Sequence, residues 1–356
     1  MPALYAFGNN PLYYFSQSGI SISTTGNTDD FVQSAYNPFA VHSACVGAAY
    51  NDLPTTPTWL AVSNKGEIAY STDLSQPWLK YYLNGGLVNI RRIILNLGRY
   101  IIVGAKKDPH TLAEQAVVYT TALGSQSTDW YQAYASVNTH SMLMDIVAVG
   151  NILIAVGYTN GRMLPLILTS ENNGLNWQES TVDTNIIQGA LYSVAVAGYA
   201  VDQTPTANTR LYLGGDGSMS LFDFTTQTFY SLADQFLIDG QKKPIYRIVS
   251  NNTYTITGIK TYNIIALQSS RLYYTANLFD WHRLNAPGYT FTSALWCDLD
   301  SIPKWYLGVE SMLNQYTGFT IDTLVVSVSD GGYQIPANPV LVGFNNGIQT
   351  QEFVIA

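Results

Sequence analysis

Apolar and polar positions alternate along this chain in short runs, and glycine, proline or small polar residues break the runs every few positions. Trp59-Leu60-Ala61-Val62-Ser63 followed by Glu67-Ile68-Ala69-Tyr70-Ser71 is typical, with Lys65-Gly66 between. Such segments predict strands, because β-branched and aromatic side chains fit a pleated surface and glycine supplies the positive φ of a two-residue hairpin turn. Ser18-Gly19, Asn160-Gly161 and Asp216-Gly217 are expected to be turns of the same kind. No 12-residue window carries a persuasive 3.6-residue apolar period, so helix is expected to be scarce and the fold class is all-β.

One aromatic follows a polar, turn-rich stretch in each segment: Phe31, Trp78, Trp130, Trp177, Phe229, Trp281 and Tyr333, at spacings of 47, 52, 47, 52, 52 and 52. Gly19, Gly66 and Gly217 each stand 12 residues before their aromatic, as a fixed hairpin length requires. Units of about 50 residues match a four-stranded propeller blade. The expectation is a seven-bladed β-propeller of four-stranded antiparallel blades, with six blades as the alternative, forming a single domain over 1–356. In the fourth unit the strands are expected near Met144 to Val149, Ile152 to Gly157, Pro165 to Thr169 and Asn176 to Thr181. Residues 340–356, with strand-like Glu352-Phe353-Val354-Ile355, are left over and are expected to complete the last blade or seal the first-to-last junction.

Ser170-Glu171-Asn172-Asn173-Gly174-Leu175-Asn176-Trp177 resembles an Asp-box, the S-x-D-x-G-x-x-W hairpin of BNR-repeat propellers, with Asn for Asp. Ser71-Thr72-Asp73-Leu74-Ser75-Gln76-Pro77-Trp78 keeps Ser, Asp and Trp but has Ser for Gly. In that motif the hydroxyl and the short polar side chain bond the backbone of the turn between third and fourth strands, and the aromatic packs into the blade. The resemblance implies sialidase-like architecture and a range of roles: glycan-processing enzymes, sorting receptors and assembly factors.

Composition narrows the classes. Sixteen Lys+Arg against 24 Asp+Glu give a net charge of -8 with no long basic run, which argues against nucleic-acid binding. Cys45 and Cys297 are too few for a disulfide framework. The most apolar stretch, Ile186 to Val201, is too short to span a bilayer, so no membrane insertion is expected. Met1-Pro2 leads directly into strand-like sequence with no signal-peptide pattern.

Aligning the starts of the innermost strands places Ser43, Arg92, Asp145, Ser193, Arg247 and Ser293 in one column near the channel mouth. Arg92 and Arg247 suit a carboxylate or sulfate, and Asp145 a hydroxyl or an acid role; the competing reading is that Asp145 neutralises a neighbouring arginine. The Arg-Ile-Pro type motif of sialidases is absent, and no catalytic residues are assigned. Glu352 reaches the channel only if the C-terminal strand is innermost. His42, His110, His140 and His282 lack metal-ligand spacing, and His42 with Cys45 is a lone pair, so no metal or cofactor is expected. The longer insertions Ala105 to Gln115, Ala233 to Pro244 and Ser311 to Thr320 map to the same face as the column, whereas Asn51 to Pro57 and Asp202 to Thr209 map to the other.

Few charges with abundant Tyr, Asn, Thr, Gln, Ser and Gly resemble phage tail and virion-surface proteins. The expected function is a non-enzymatic binding or structural propeller of a virion or the extracellular space, contacting other virion proteins or a surface glycan or protein receptor. A cytoplasmic location is the alternative setting. A sialidase-like or other glycoside hydrolase and a protein assembly or sorting factor are the alternative functions.

Overall fold

The computed structural model describes residues 4–10, 17–23, 32–39, 43–52, 57–200, 203–254, 260–268, 271–275, 278–284, 289–297, 304–311, 321–329, 332–333, 341–344 and 349–355. Among these, helix is confined to single 3-10 turns at Leu83–Gly86, Ser127–Asp129 and Ala233–Phe236. The strand pairings registered among the described residues are antiparallel. The chain divides into two compact units: Met1–Gly86 with Gly124–Ser127 and Leu284–Ala356, and Leu87–Leu123 with Thr128–Arg283.

The second unit is built of consecutive four-stranded sheets, each laid down in chain order. The first comprises Val88–Asn96, Arg99–Lys107, Glu114–Thr121 and Tyr131–Ala135. Next come Met142–Val149, Ile152–Thr159, Leu164–Ser170 and Gln178–Glu179. Leu191–Ala197, Arg210–Gly215, Ser218–Asp223 and Thr228–Ser231 follow. The last holds Arg247–Tyr254, Lys260–Gln268, Arg271–Thr275 and His282–Leu284. First strands of successive sheets lie side by side. The core fills the gaps between sheets: Val103, Val118, Leu143, Leu153 and Leu168 in one layer, Ile154, Val156, Val194 and Leu213 in the next, then Tyr212, Phe236, Tyr273 and Trp281. Middle strands are therefore buried on both faces, Arg210–Gly215 along its whole length. Each buried Val, Leu or Ile contributes roughly 1.5–3 kcal/mol, so these layers dominate stability.

The first unit holds the sheet Cys45–Asn51, Thr58–Ser63, Glu67–Ser71 and Leu79–Tyr82. A second contains Tyr289–Cys297, Lys304–Ser311 and Ile321–Ser329, whose third strand pairs with both Gly332–Tyr333 and Leu341–Phe344. In the remaining sheet the C-terminal strand Gln349–Ile355 takes the first position, pairing with Leu4–Asn10 in the register Leu4↔Ile355 and Ala6↔Phe353; Gln17–Ser23 and Val32–Gln33 complete it.

The aromatic period marks a consistent place. Trp78, Trp130, Trp177 and Trp281 each stand one residue before a fourth strand, and Phe229 and Tyr333 lie within theirs. Phe31 lies outside the described residues. Lys65-Gly66, Asn160-Gly161 and Asp216-Gly217 are turns between second and third strands. Ser18-Gly19 is not: Gly19 sits inside Gln17–Ser23, opposite Gly8. A shared spacing fixes where a residue falls in the repeat but not whether it pairs, and so Gly19 matched the offset without being a turn. Positive φ falls on Gly66 and Gly161, but in the Asp216-Gly217 turn it falls on Ser218. The fourth strand of the fourth unit shrinks to Gln178–Glu179, because Asn176 N–H is held by the Asn172 side chain at 2.9 Å instead of by a neighbouring strand.

Candidate functional site

Arg92, Asp145, Ser193 and Arg247 meet in the second unit, one from each first strand. What aligns them is a β-bulge. The pairing skips a residue between Ile90 and Arg92, between Leu143 and Asp145, and between Leu191 and Ser193. In the fourth sheet Arg247 is paired opposite Leu267 while Tyr246 N–H also donates to Leu267 O at 3.0 Å, the same two-against-one arrangement. A bulge re-aims the side chains around it, and here it sends each following residue to the same place.

Glycines make the bulges possible. Gly104, Gly157 and Gly215 lie opposite Ile90, Leu143 and Leu191, the residues just before each bulge. A Cβ at these glycines would stand 2.1, 1.9 and 2.1 Å from the carbonyl oxygens of Asn89, Met142 and Ala190. Only glycine permits so close a backbone approach.

Asp145, 3% exposed, joins the strands together. Its Oδ1 accepts from Ile146 N–H at 3.0 Å, and its Oδ2 accepts from Ser193 Oγ at 2.7 Å and Val194 N–H at 3.1 Å. Ser193 Oγ in turn accepts from Ile248 N–H at 2.9 Å. Twice, then, the side chain after one bulge satisfies the amide after the next, on strand edges that would otherwise bury an orphan donor. Arg92 Nε and an Arg247 terminal nitrogen both lie 3.6 Å from Asp145 Oδ1, with side chains 16% and 17% exposed. Those are ion-pair distances, longer than the 2.7–2.9 Å of a charge-assisted hydrogen bond. One carboxylate thus faces two guanidiniums. Burial and the like charge of Arg247 push the Arg92 guanidinium down, with Asp145 opposing.

The two remaining serines of the column belong to the first unit. Ser293 follows the bulge of its own strand and is buried. Ser43 does not share the position: it precedes Cys45–Asn51 by two residues, and Gly47 follows the bulge there. Aligning by strand start fails at this point, because the bulge, invisible as a pattern of polarity, sets the register. Glu352 occupies the corresponding place in Gln349–Ile355, the pairing skipping from Thr350 to Glu352. Sequence reasoning made Glu352 conditional on that strand's place and missed Gly47. The glycine near the end of the second strand, as in Ile101-Ile102-Val103-Gly104, is the signal for the bulges at Arg92, Asp145 and Ser193; the bulges before Gly47 and Ser293 face Ser63 and Val309 instead.

The bulged residues themselves, Arg91, Met144, Tyr192 and Tyr246, were also missed. Tyr192 and Tyr246 stack with ring centroids 5.6 Å apart, and Tyr192 OH donates to Asp216 Oδ1 at 2.7 Å. No cluster of three or more His, Cys, Asp or Glu suited to a metal ion occurs among the described residues. His42 lies outside them. Cys45 is buried, and burial pushes its thiol up to about 12 despite a weak bond to Gly47 O. No helix of the described residues is long and apolar enough to cross a membrane.

Of the insertions, Ala105 to Gln115 is strand at both ends, its turn held by Asp108 accepting from His110 N–H at 2.9 Å and Thr111 N–H at 2.7 Å. Ala233 to Pro244 contains a 3-10 turn and an isolated bridge, Ile238↔Gln241, and leads into Arg247–Tyr254. Residues 312–320 lie outside the described residues.

No protein-family model matches this sequence, and no curated protein does. Among solved structures, the chain is similar to YCF48 from Cyanidioschyzon merolae, at 10% identity and a TM-score of 0.55, covering 88% of this chain and 97% of that one. It is also similar to the WD40 β-propeller domain of Doa1, at 12% identity and a TM-score of 0.51, covering 85% and 93%. Likeness at such identity is likeness of fold: the chain is an all-β protein with the β-propeller fold, its sheets four-stranded and antiparallel except where Leu341–Phe344 adds a fifth strand.

Proposed function

We propose that the chain is a non-enzymatic, seven-bladed propeller serving as a binding or assembly module, and that Arg92 and Arg247 receive an anionic group of its partner, a carboxylate or a sulfate. The aromatic period and the run of sheets in chain order support the blade number. The turns at Ser170 and Ser71 we read as Asp-boxes. Ser170 Oγ accepts from Gly174 N–H at 3.0 Å, Trp177 Nε1 donates to Gly174 O at 3.1 Å, and Asp73 Oδ1 accepts from Ser75 N–H at 2.8 Å.

The observation that carries the binding role is the convergence of two partly exposed arginines on Asp145. Its oxygens are already committed to Ile146, Ser193 and Val194, so it acts as a tie between strands, and a glycoside hydrolase would need it as an accessible acid. Both guanidiniums stand 3.6 Å from its Oδ1 and stay partly exposed, so two cationic side chains converge at one place in a protein that is acidic overall. Sulfate is the probe. Ten times its Kd raises stability by about 1.4 kcal/mol through mass action, and this gain should vanish in Arg247→Ala. An equal gain in Arg247→Ala and Arg92→Ala would remove the anion from the proposal. The finer assignment to a virion surface rests on the neutral polar composition, with 11% charged residues and 26 Tyr. Mass spectrometry of purified particles from the source would find the chain, or its absence would refute that setting.

A further inference from the structure

A second site adjoins the arginine pair without depending on it. Tyr192 and Tyr246 are bulged residues of neighbouring first strands, carried outward beside Ser193 and Arg247. Their rings stack at an interplanar angle of 27°, and Tyr246 leaves half of itself, 51%, exposed to solvent. The pair is held in place. Tyr192 OH donates to Asp216 Oδ1, and Asp216 Oδ2 accepts from Ala190 N–H at 3.2 Å. The turn carrying Asp216 is fixed in turn by Asp216 N–H to Ala190 O at 2.9 Å and Gly217 N–H to Gln188 O at 3.1 Å.

Arg162, exposed, also stands near the pair, with its guanidinium 5.6 Å from the centre of the Tyr158 ring and within electrostatic reach of Tyr192 and Asp216. Its φ of +77° is a conformation that costs a non-glycine residue free energy, and such strain persists where surrounding structure enforces it.

A rigid aromatic face with a carboxylate and a guanidinium beside it fits one kind of ligand well. A pyranose presents apolar C–H groups on its faces and hydroxyls at its edge, each hydroxyl both donating and accepting. A peptide's apolar side chain would use the tyrosines but leave the flanking polar groups idle, and an isolated cation would meet Arg162. The geometry points to a saccharide platform: a sugar ring stacks on Tyr246 while Asp216 and Arg162 bond its hydroxyls.

The probes are maltotetraose, cellotetraose and chitotetraose, none of which carries an anionic group, titrated into the full-length protein and followed by nuclear magnetic resonance. At least one should bind saturably in the millimolar range, with line changes at Tyr192 and Tyr246. Tyr246→Ala, at an exposed position, should raise Kd about tenfold or more, whereas Tyr246→Phe keeps the stack and binds nearly as the natural protein does. Sulfate stabilisation should be unchanged in Tyr246→Ala, which separates this site from the arginine pair. Absence of saturable binding with all three sugars, or binding indifferent to Tyr246→Ala, overturns the platform whatever the response to sulfate.

Discussion

Replacing Asp145 by Asn changes one atom and tests the tie between the first strands. Asp145 accepts three hydrogen bonds, from Ile146 N–H, Ser193 Oγ and Val194 N–H, and faces two guanidiniums at 3.6 Å. An asparagine keeps one oxygen. Whichever way it turns, its NH2 group meets a backbone N–H, at Ile146 or at Val194, and leaves that buried donor unsatisfied, at a cost of roughly 1–3 kcal/mol. Loss of the charge also removes the carboxylate that both guanidiniums face. Breaking a buried pair costs about 3–5 kcal/mol, and the lower end applies because water reaches both arginines. The sum is about 4–6 kcal/mol, a large share of the ~5–15 kcal/mol of a folded domain.

Urea unfolding followed by tryptophan fluorescence reads this as a fall in the midpoint. Asp145→Asn in an Arg92→Met, Arg247→Met background should cost only the hydrogen-bond part, roughly 1–3 kcal/mol, since the cations are gone. A cost under about 1 kcal/mol for Asp145→Asn in the natural protein, or an equal cost in both backgrounds, would refute the reasoning.

Gly157→Ala should cost more than about 3 kcal/mol or prevent folding, because its Cβ would stand 1.9 Å from Met142 O and the bulge would have to open; circular dichroism and urea unfolding check this. Tyr212→Phe removes a buried bond from the hydroxyl to Leu278 O at 2.7 Å and should lower stability by about 1–2 kcal/mol in the same assay. Cys45, whose thiol is raised from 9.0 to about 12 by burial, should resist iodoacetamide at pH 8 in the folded protein and react once unfolded. The same shift fixes a sign: an acid with a raised folded pKa contributes stability in full below its unfolded value near 9, lost as pH rises through about 12. Burial raises Tyr212 as well, so the urea midpoint should fall steadily over that alkaline window, and a flat profile would contradict it.

Much of the fold was legible because the chain repeats. Tryptophans before fourth strands recur at nearly equal spacing, since each fills the same gap, and a period survives even where a motif has decayed, as at Phe229. Polarity alternation could not reveal the bulges. Arg91 and Arg92 look interchangeable as residues, yet the skipped pairing decides which of them faces Asp145. Ser43 was placed by counting from a strand start, and Gly47 holds the true position because pairing, not count, sets register. Arg92, Asp145, Ser193 and Arg247 were legible as a polar column amid apolar strands. That Asp145 reaches the next strand's amide was not, because backbone donors carry no sequence signature. Tyr192 and Tyr246 were hidden by their ordinariness in a chain with 26 tyrosines.

The sheet shared by Leu4–Asn10 and Gln349–Ile355 has a consequence for biosynthesis. A ribosome emits Leu4–Asn10 about 340 residues before Gln349–Ile355, so that strand's outer backbone groups wait, unpaired and able to join another chain, until its mate has been made. Sheets of the second unit can form as they emerge, each from one continuous segment. The join between these two strands is therefore the slow, late, long-range step, and crowded polysomes are where neighbouring copies would exchange them.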